Sequence, residues 1–219
     1  VIDDAGRAKL EAVLALLAEE RASVSSVVDE RAWQVHVVDS LTGLEVPELR
    51  EAKRIGDVGA GAGFPGLVLA VALPGTQIDL IESVGRKCEF MRRAIEAAEI
   101  SNASVLNTRS EDLASGEGRE AYEAVTARAV GRLSTLAELA SPLLKPNGVL
   151  VAWKGKRDEE EEQQLENAAK SLAMRPEKIL DVGNRAGSAH RHLHVIRKTG
   201  PTLANLPRKP GIAKKRPKG

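Results

Sequence analysis

The chain has 219 residues, 42% of them apolar, and a formal net charge of +1, which suits one α/β domain with extensions and excludes two large domains. Its longest apolar runs, residues 12–18 and 67–73, are far too short to span a bilayer, and the opening VIDDAGRAKL lacks the basic start and apolar stretch of a secretory signal. Cys88 is the one cysteine, so no internal disulfide can form; it is expected to pack as a small hydrophobe, in a cytoplasmic protein.

Taken in chain order, Leu10, Val13, Leu14, Leu16 and Leu17 recur at helical spacing, as do Trp33, Val37, Val38 and Leu41. They predict a helical extension over residues 1–50, in a chain that starts at Val1 without a methionine. Then the period changes. KRIGDV, QIDLIE, ASVLNT, YEAVTA and GVLVAWK read as strands, and FPGLVLAVAL, GRKCEFMRRAIEAAE and GRLSTLAELASPLL read as the helices between them. A charged helix opens at Asp158, whose four following glutamates suit a helix start and predict a solvated face without chemistry. Extended segments near residues 177–182 and 192–197 close the domain. The alternation predicts a doubly wound, seven-stranded, mostly parallel sheet of Rossmann-like type over residues 51–200.

The small net charge conceals an asymmetry. Residues 182–219 hold ten Lys and Arg and no acidic residue, leaving 22 basic against 31 acidic residues in the rest. The end of that segment, LPRKPGIAKKRPKG, is too rich in proline and charge to build core, so residues 201–219 are expected to be an extended, mobile tail. Arg208, Lys209, Lys214, Lys215, Arg216 and Lys218 are its candidate phosphate contacts, with RNA as the leading polyanion.

DVGAGAGFPG, after the first strand and before a helix, fits two cofactor classes. Gly61, Gly63 and Gly66 satisfy the dinucleotide pattern, and Asp57, Gly59, Gly61 and Gly63 satisfy the S-adenosylmethionine pattern. Electrostatics separates them. A diphosphate wants free N–H groups and no adjacent anion, whereas Asp57 supplies an anion and Pro65 removes a donor. The loop is therefore expected to suit a cationic cofactor. Glu82, closing the second strand, is placed to accept from ribose hydroxyls in either class.

Ligands collect beyond the carboxyl ends of strands in open α/β sheets, which nominates Arg109, Ser110 and Glu111 after the third strand, Arg128 after the fourth and Lys154 after the fifth. The ARAV stretch offers a cation where a site for exocyclic amines would need an acceptor. Such a cation suits guanine O6 or a backbone phosphate while a ring nitrogen reacts. HRHLHV places His190, His192 and His194 on one face of a strand, but no Cys, Asp or Glu follows them, and no metal is expected.

Together DVGAGAGFPG, IESVGRKCEFMRR, TRSEDL, VTARAV, WKG, RHLHVIRK and LPRKPGIAKKRP resemble the bacterial small-subunit ribosomal RNA methyltransferase G family, also called glucose-inhibited division protein B, from about Trp33 to the C-terminus. The resemblance implies a class I S-adenosylmethionine-dependent methyltransferase acting on N7 of one guanosine in 16S ribosomal RNA. It implies that Gly59 and Phe64 line the cofactor, that Glu82, Ser83 and Val84 flank its ribose and adenine, and that Ser110 and Glu111 approach the adenine. Arg128 would lie at the cofactor's edge, facing substrate; with Lys154 it is the candidate for orienting the guanine and its phosphate. The family often has Asp-Ser-Leu where this chain has Glu82, Ser83 and Val84, which keeps the carboxylate one methylene longer. His36 either closes the substrate pocket or packs. Phe64 and Trp153 are candidate stacking surfaces, Trp153 being the better candidate for core. The partner expected is small-subunit RNA or the assembling 30S subunit, and the protein is expected to act as a monomer. A nicotinamide-dependent oxidoreductase on the same sheet, or a non-catalytic RNA-binding module, are the rival readings.

Overall fold

The computed structural model describes residues 2–20, 25, 27–186 and 190–219. Helix α1 (Asp4–Glu19) starts where the carboxylate of Asp3 accepts from the Gly6 N–H at 2.8 Å, and it buries Leu10, Val13 and Leu17. A second helical stretch follows: a π-helical turn (Trp33–Val38) runs into α2 (Asp39–Leu41), a 3-10 turn (Thr42–Glu45) and α3 (Pro47–Glu51). Pro47 sits at the start of α3, where its missing N–H costs no hydrogen bond.

The sheet contains β1 (Arg54–Val58), β2 (Gln77–Glu82), β3 (Ala103–Asn107), β4 (Tyr122–Arg128), β5 (Leu144–Lys154), β6 (Met174–Asp181) and β7 (His192–Lys198) in the order β3-β2-β1-β4-β5-β7-β6. The first five strands pair in parallel, and β7 runs antiparallel between β5 and β6. Between the strands come α4 (Gly66–Ala72), α5 (Gly85–Ala97), α6 (Ser110–Ala114), α7 (Leu133–Ala140), α8 (Glu159–Ala169) and α9 (Gly183–Ala186), and α10 (Ile212–Lys215) lies in the tail. Predicted strands and helices fall on these elements; α6 occupies part of what the sequence suggests is a polar loop. Five residues with two acidic side chains give too weak a period to see.

Period-two alternation loads both faces of the central strands. Along β5, Val149, Val151 and Trp153 join the cluster under α1, α4 and α5, while Leu150 and Ala152 join the one under α7 and α8. Each fully buried Val or Leu side chain among them contributes about 1.5–3 kcal/mol. Cys88 is buried, as expected. The chain proceeds outward from β1 to β3, then restarts at β4 on the other side of β1, which opens a crevice beyond the carboxyl ends of β1 and β4. Among the described residues no helix is long and apolar enough to cross a membrane.

The tail differs from the expectation of an extended, mobile segment. Leu206 and Ala213 are each 2% exposed, and α10 packs against α7. Its few apolar side chains suffice because charge is neutralised on contact: Arg208 meets the buried Glu138 with two bonds of 2.5 Å. The charged helix also departs from expectation at one position. Asp158 caps it by accepting from Glu161 N at 3.1 Å, yet Glu161 itself is buried and accepts from Leu133 N at 2.7 Å and Lys154 Nζ at 2.6 Å.

Candidate active site

Two clefts meet at the crevice. The first, of about 330 Å³, is lined by Gly59, Glu82, Ser83, Arg109, Ser110 and Glu111 with others, and the second, of about 540 Å³, by His36, Gly61, Phe64, Arg128, Lys154 and Arg191 with others. Gly59, Lys87 and Ala129 line both. Ala129 holds φ of +59°, a left-handed conformation that costs a non-glycine residue of order 1 kcal/mol or more. This strained residue stands where the clefts join.

The glycine loop is shaped by its glycines and fastened by two carboxylates. Gly59 has φ of +67°, and a Cβ there would lie 2.7 Å from Val130 Cγ2, so both the turn and the packing require glycine. Gly61 has φ of +62° and nothing nearer than 3.8 Å to an added Cβ; its bare backbone faces the cleft. Its N–H donates to Glu82 Oε2 at 3.1 Å, while Val84 N donates to Glu82 Oε1 at 2.9 Å, which fixes the carboxylate between loop and strand end.

Asp57 does not face either cleft, contrary to the expectation that its charge would meet the cofactor. It is 1% exposed, with Oδ1 accepting from Thr126 Oγ1 at 2.7 Å and Oδ2 from Gly66 N at 3.0 Å. Burial raises its pKa to about 6, against the two hydrogen bonds that favour the anion. The effect on ligand choice survives for a different reason. The Gly66 N–H at the start of α4 is spent on Asp57, so the loop does not present it to a diphosphate. Glu82 and the open glycine backbone fit instead a nucleoside without phosphates, such as that of S-adenosylmethionine.

On the same side, Ser110 Oγ donates to Glu111 Oε2 at 3.1 Å, and Gly211 N donates to Glu111 Oε1 at 2.8 Å. Ser83, Val84 and Arg109 are exposed near the rim, and Val84 begins the turn into α5.

The second cleft is built around cations. Arg128 has a side chain only 13% exposed, and its Nη1 donates to Asp39 Oδ2 and to Val35 O, both at 2.9 Å. Arg191 Nε lies 2.7 Å from Asp39 Oδ1, so one buried carboxylate serves two arginines. Asp39 also offers its carbonyl to Trp153 Nε1 at 2.9 Å, which makes Trp153 core rather than an exposed stacking face. Burial lowers the pKa of Arg128, opposed by Asp39. His36 Nδ1 lies 3.2 Å from Arg128 Nη2, and since a guanidinium only donates, Nδ1 accepts and Nε2 carries the proton toward Val27 O at 2.9 Å. Burial lowers the pKa of His36, favouring this neutral form, and its ring stacks on Phe64 at 4.4 Å between centroids. His36 thus both lines the cleft and packs. Lys154 reaches it too, but its Nζ is engaged by Glu161 and by Gly131 O at 3.1 Å.

In the tail, Lys209, Lys214, Lys215 and Arg216 are exposed, whereas Arg208 is paired with Glu138 and Lys218 Nζ donates to Ser171 O at 3.2 Å. Of the three histidines near β7, His190 precedes the strand, His192 Nδ1 lies 2.8 Å from Gly155 O, and His194 is buried beside α8, which pushes its pKa down to about 4. Sequence reasoning missed Asp39, Lys87, Ala129, Glu161 and Arg191. Only Asp39, within the HVVDSL stretch, carried a signal, as an acidic residue among apolar helical positions.

Comparison with known proteins agrees with this fold. Solved structures with the same fold include an S-adenosylmethionine-dependent methyltransferase from Aquifex aeolicus (TM-score 0.58, 17% identity, 78% of this chain and 94% of that one). An S-adenosylmethionine-dependent O-methyltransferase from Thermotoga maritima also matches (TM-score 0.60, 12% identity, 87% and 72%). Proteins named ribosomal RNA small subunit methyltransferase G are 39% identical in Rubrobacter xylanophilus, over 94% of this chain and 81% of that one, and 34% identical in Bacillus subtilis, over 90% and 84%. With the family model described as rRNA small subunit methyltransferase G matching residues 9–194, the chain belongs to that family.

Proposed function

We propose that the protein transfers a methyl group from S-adenosylmethionine to N7 of a guanosine in the 16S RNA of the small ribosomal subunit. The observation that carries this reading is the junction of two unlike clefts at Gly59 and Ala129, one suited to a nucleoside and the other cationic. When bound, the cofactor supplies a methyl group on a positively charged sulfur.

The residues around it have little proton chemistry to do. The N7 lone pair of guanine is free at neutral pH, so no general base is needed, and catalysis reduces to holding nucleophile and methyl in line. Glu82 takes the ribose hydroxyls, with its position fixed by the Gly61 and Val84 amides. Arg128 orients the base. Three of its five donors are committed to Val35, Asp39 and His36, and the other two have no acceptor among the described residues. They suit guanine O6 or an adjacent phosphate. Lys154, partly neutralised by Glu161, assists by holding Gly131 and the loop after Ala129. The exposed tail lysines and Arg216 contribute phosphate contacts with steep salt dependence.

The test is transfer of radiolabelled methyl to small subunits purified from cells lacking the activity, followed by mapping of the modified base. Stabilisation by S-adenosylhomocysteine and not by NAD removes the oxidoreductase reading, and label transfer removes the non-catalytic one. Arg128→Ala should lower kcat/KM on RNA about 10²–10³-fold, as loss of a positioned donor does, with the S-adenosylhomocysteine Kd changed less than threefold. Equal losses in both would refute the role given to Arg128.

A further inference from the structure

The nucleoside cleft is not closed by the sheet alone. Gly211, Ala213 and Lys214 line it together with Gly59 and Glu82, although they lie more than a hundred residues away in sequence and beyond the last strand. The contacts that bring them there are numerous for so short a segment. Arg119 Nη1 donates to Leu206 O at 3.0 Å, Arg208 grips Glu138, Gly211 N donates to Glu111 at 2.8 Å, and Thr135 Oγ1 donates to Ala213 O at 3.3 Å. Arg208 also closes the segment on itself, donating to Arg216 O at 2.8 Å.

The anchors on Glu111, Thr135 and Glu138 belong to α6 and α7, the helices that flank the cleft. Glu138 is 3% exposed, so its charge depends on the Arg208 fork for compensation. Glu111 spends one oxygen on Ser110 and the other on the tail, which ties the start of α6 to Gly211. We propose that residues 206–216 form a strap that completes the cofactor cleft, with Arg208 and Glu138 as positioning residues that set cofactor affinity through it. The proposal rests on the reading of this cleft as the cofactor site, and it gives the basic tail a task beyond phosphate contact.

Isothermal titration with S-adenosylhomocysteine tests it, using the full chain, a chain ending at residue 205, and the variants Arg208→Ala and Arg208→Lys. The truncated chain should bind at least tenfold more weakly and Arg208→Ala at least fivefold, with Arg208→Lys between it and wild type because lysine keeps the charge but loses the fork. Amide hydrogen exchange of the unaltered protein supplies a readout independent of folding in the variants. Exchange at Gly211 and its neighbours should slow on adding S-adenosylhomocysteine. Equal affinity of full and truncated chains, or strap exchange unchanged at saturating ligand, would overturn the strap while leaving the proposed activity intact. Failure of the full chain to bind S-adenosylhomocysteine would instead remove both.

Discussion

The two clefts share Gly59, Lys87 and Ala129, yet they are made of different materials. The nucleoside side takes backbone amides, a carboxylate at a strand end and a glycine turn from one β1–α4–β2 unit, and closes them with Ser110, Glu111 and the tail residues around Gly211. The substrate side uses a buried carboxylate shared by two arginines, with partners 89 residues apart in the case of Asp39 and Arg128. A local turn can be preserved by a few residues. An ion network of this kind fails as a unit when its one anion is lost, because the cations left behind remain out of water.

That difference predicts unequal damage. Asp39→Ala removes the counter-charge of both Arg128 and Arg191, while the Trp153 bond survives because it goes to the main chain. Urea unfolding should show a loss of about 3–5 kcal/mol, the usual result of stranding a buried charge. Methyl transfer to RNA should fall at least as far as in Arg128→Ala. A loss under about 1 kcal/mol would mean the arginines regain solvent easily, and the contrast between the clefts would disappear.

On the nucleoside side the expected effect is smaller and falls on binding. Glu82→Gln keeps the shape but offers one carbonyl acceptor where the carboxylate offers two oxygens to Gly61, Val84 and a ligand. Loss of a charged hydrogen bond worth about 1.5–3 kcal/mol should raise the S-adenosylhomocysteine Kd roughly 10- to 100-fold, measured by titration. Turnover at saturating cofactor should change far less. A fall in kcat larger than the rise in Kd would assign Glu82 to the reaction rather than to the nucleoside.

The same contrast explains what could be read from the sequence. The sheet was legible because apolar runs of strand length alternate with helical periods, and the glycine loop because its function is local to ten residues; the strand order was not read from the sequence. Arg128 and Lys154 were legible as charges beyond strand ends, but not their partners: Asp39 sits on a helix outside the sheet, and Glu161 is one of four consecutive glutamates with nothing to mark which turns inward. The packed tail was illegible for a related reason. Proline and charge predict a free segment unless a buried acid waits for it, and Glu138 lies in a helix that reads as ordinary.

Asp57 offers the finest test, because it was legible as a member of the loop yet acts from beneath it. Its pKa is raised to about 6 in the folded protein, so the folded state holds its proton to higher pH than the unfolded chain does. Between about pH 4 and pH 6 the unfolded chain binds fewer protons at this site, and the stability that Asp57 contributes falls as pH rises through that window. Other carboxylates with lowered values, such as Glu120 at about 2, lose their contribution only as pH drops toward that value, so the comparison must be between wild type and variant. Asp57→Asn can still accept from Gly66 N and donate to Thr126 Oγ1, which keeps the loop closed without the charge. Relative to wild type, the variant should gain on the order of 1 kcal/mol of unfolding free energy between pH 4.5 and pH 6.5, read from urea curves at the two values. Cofactor affinity should change little, since no atom of Asp57 lines either cleft. A variant whose stability runs parallel to wild type across this range would show that the carboxylate stays ionised beneath the loop. A variant that loses cofactor binding while remaining folded would show that the Asp57 charge acts through the loop on the ligand after all.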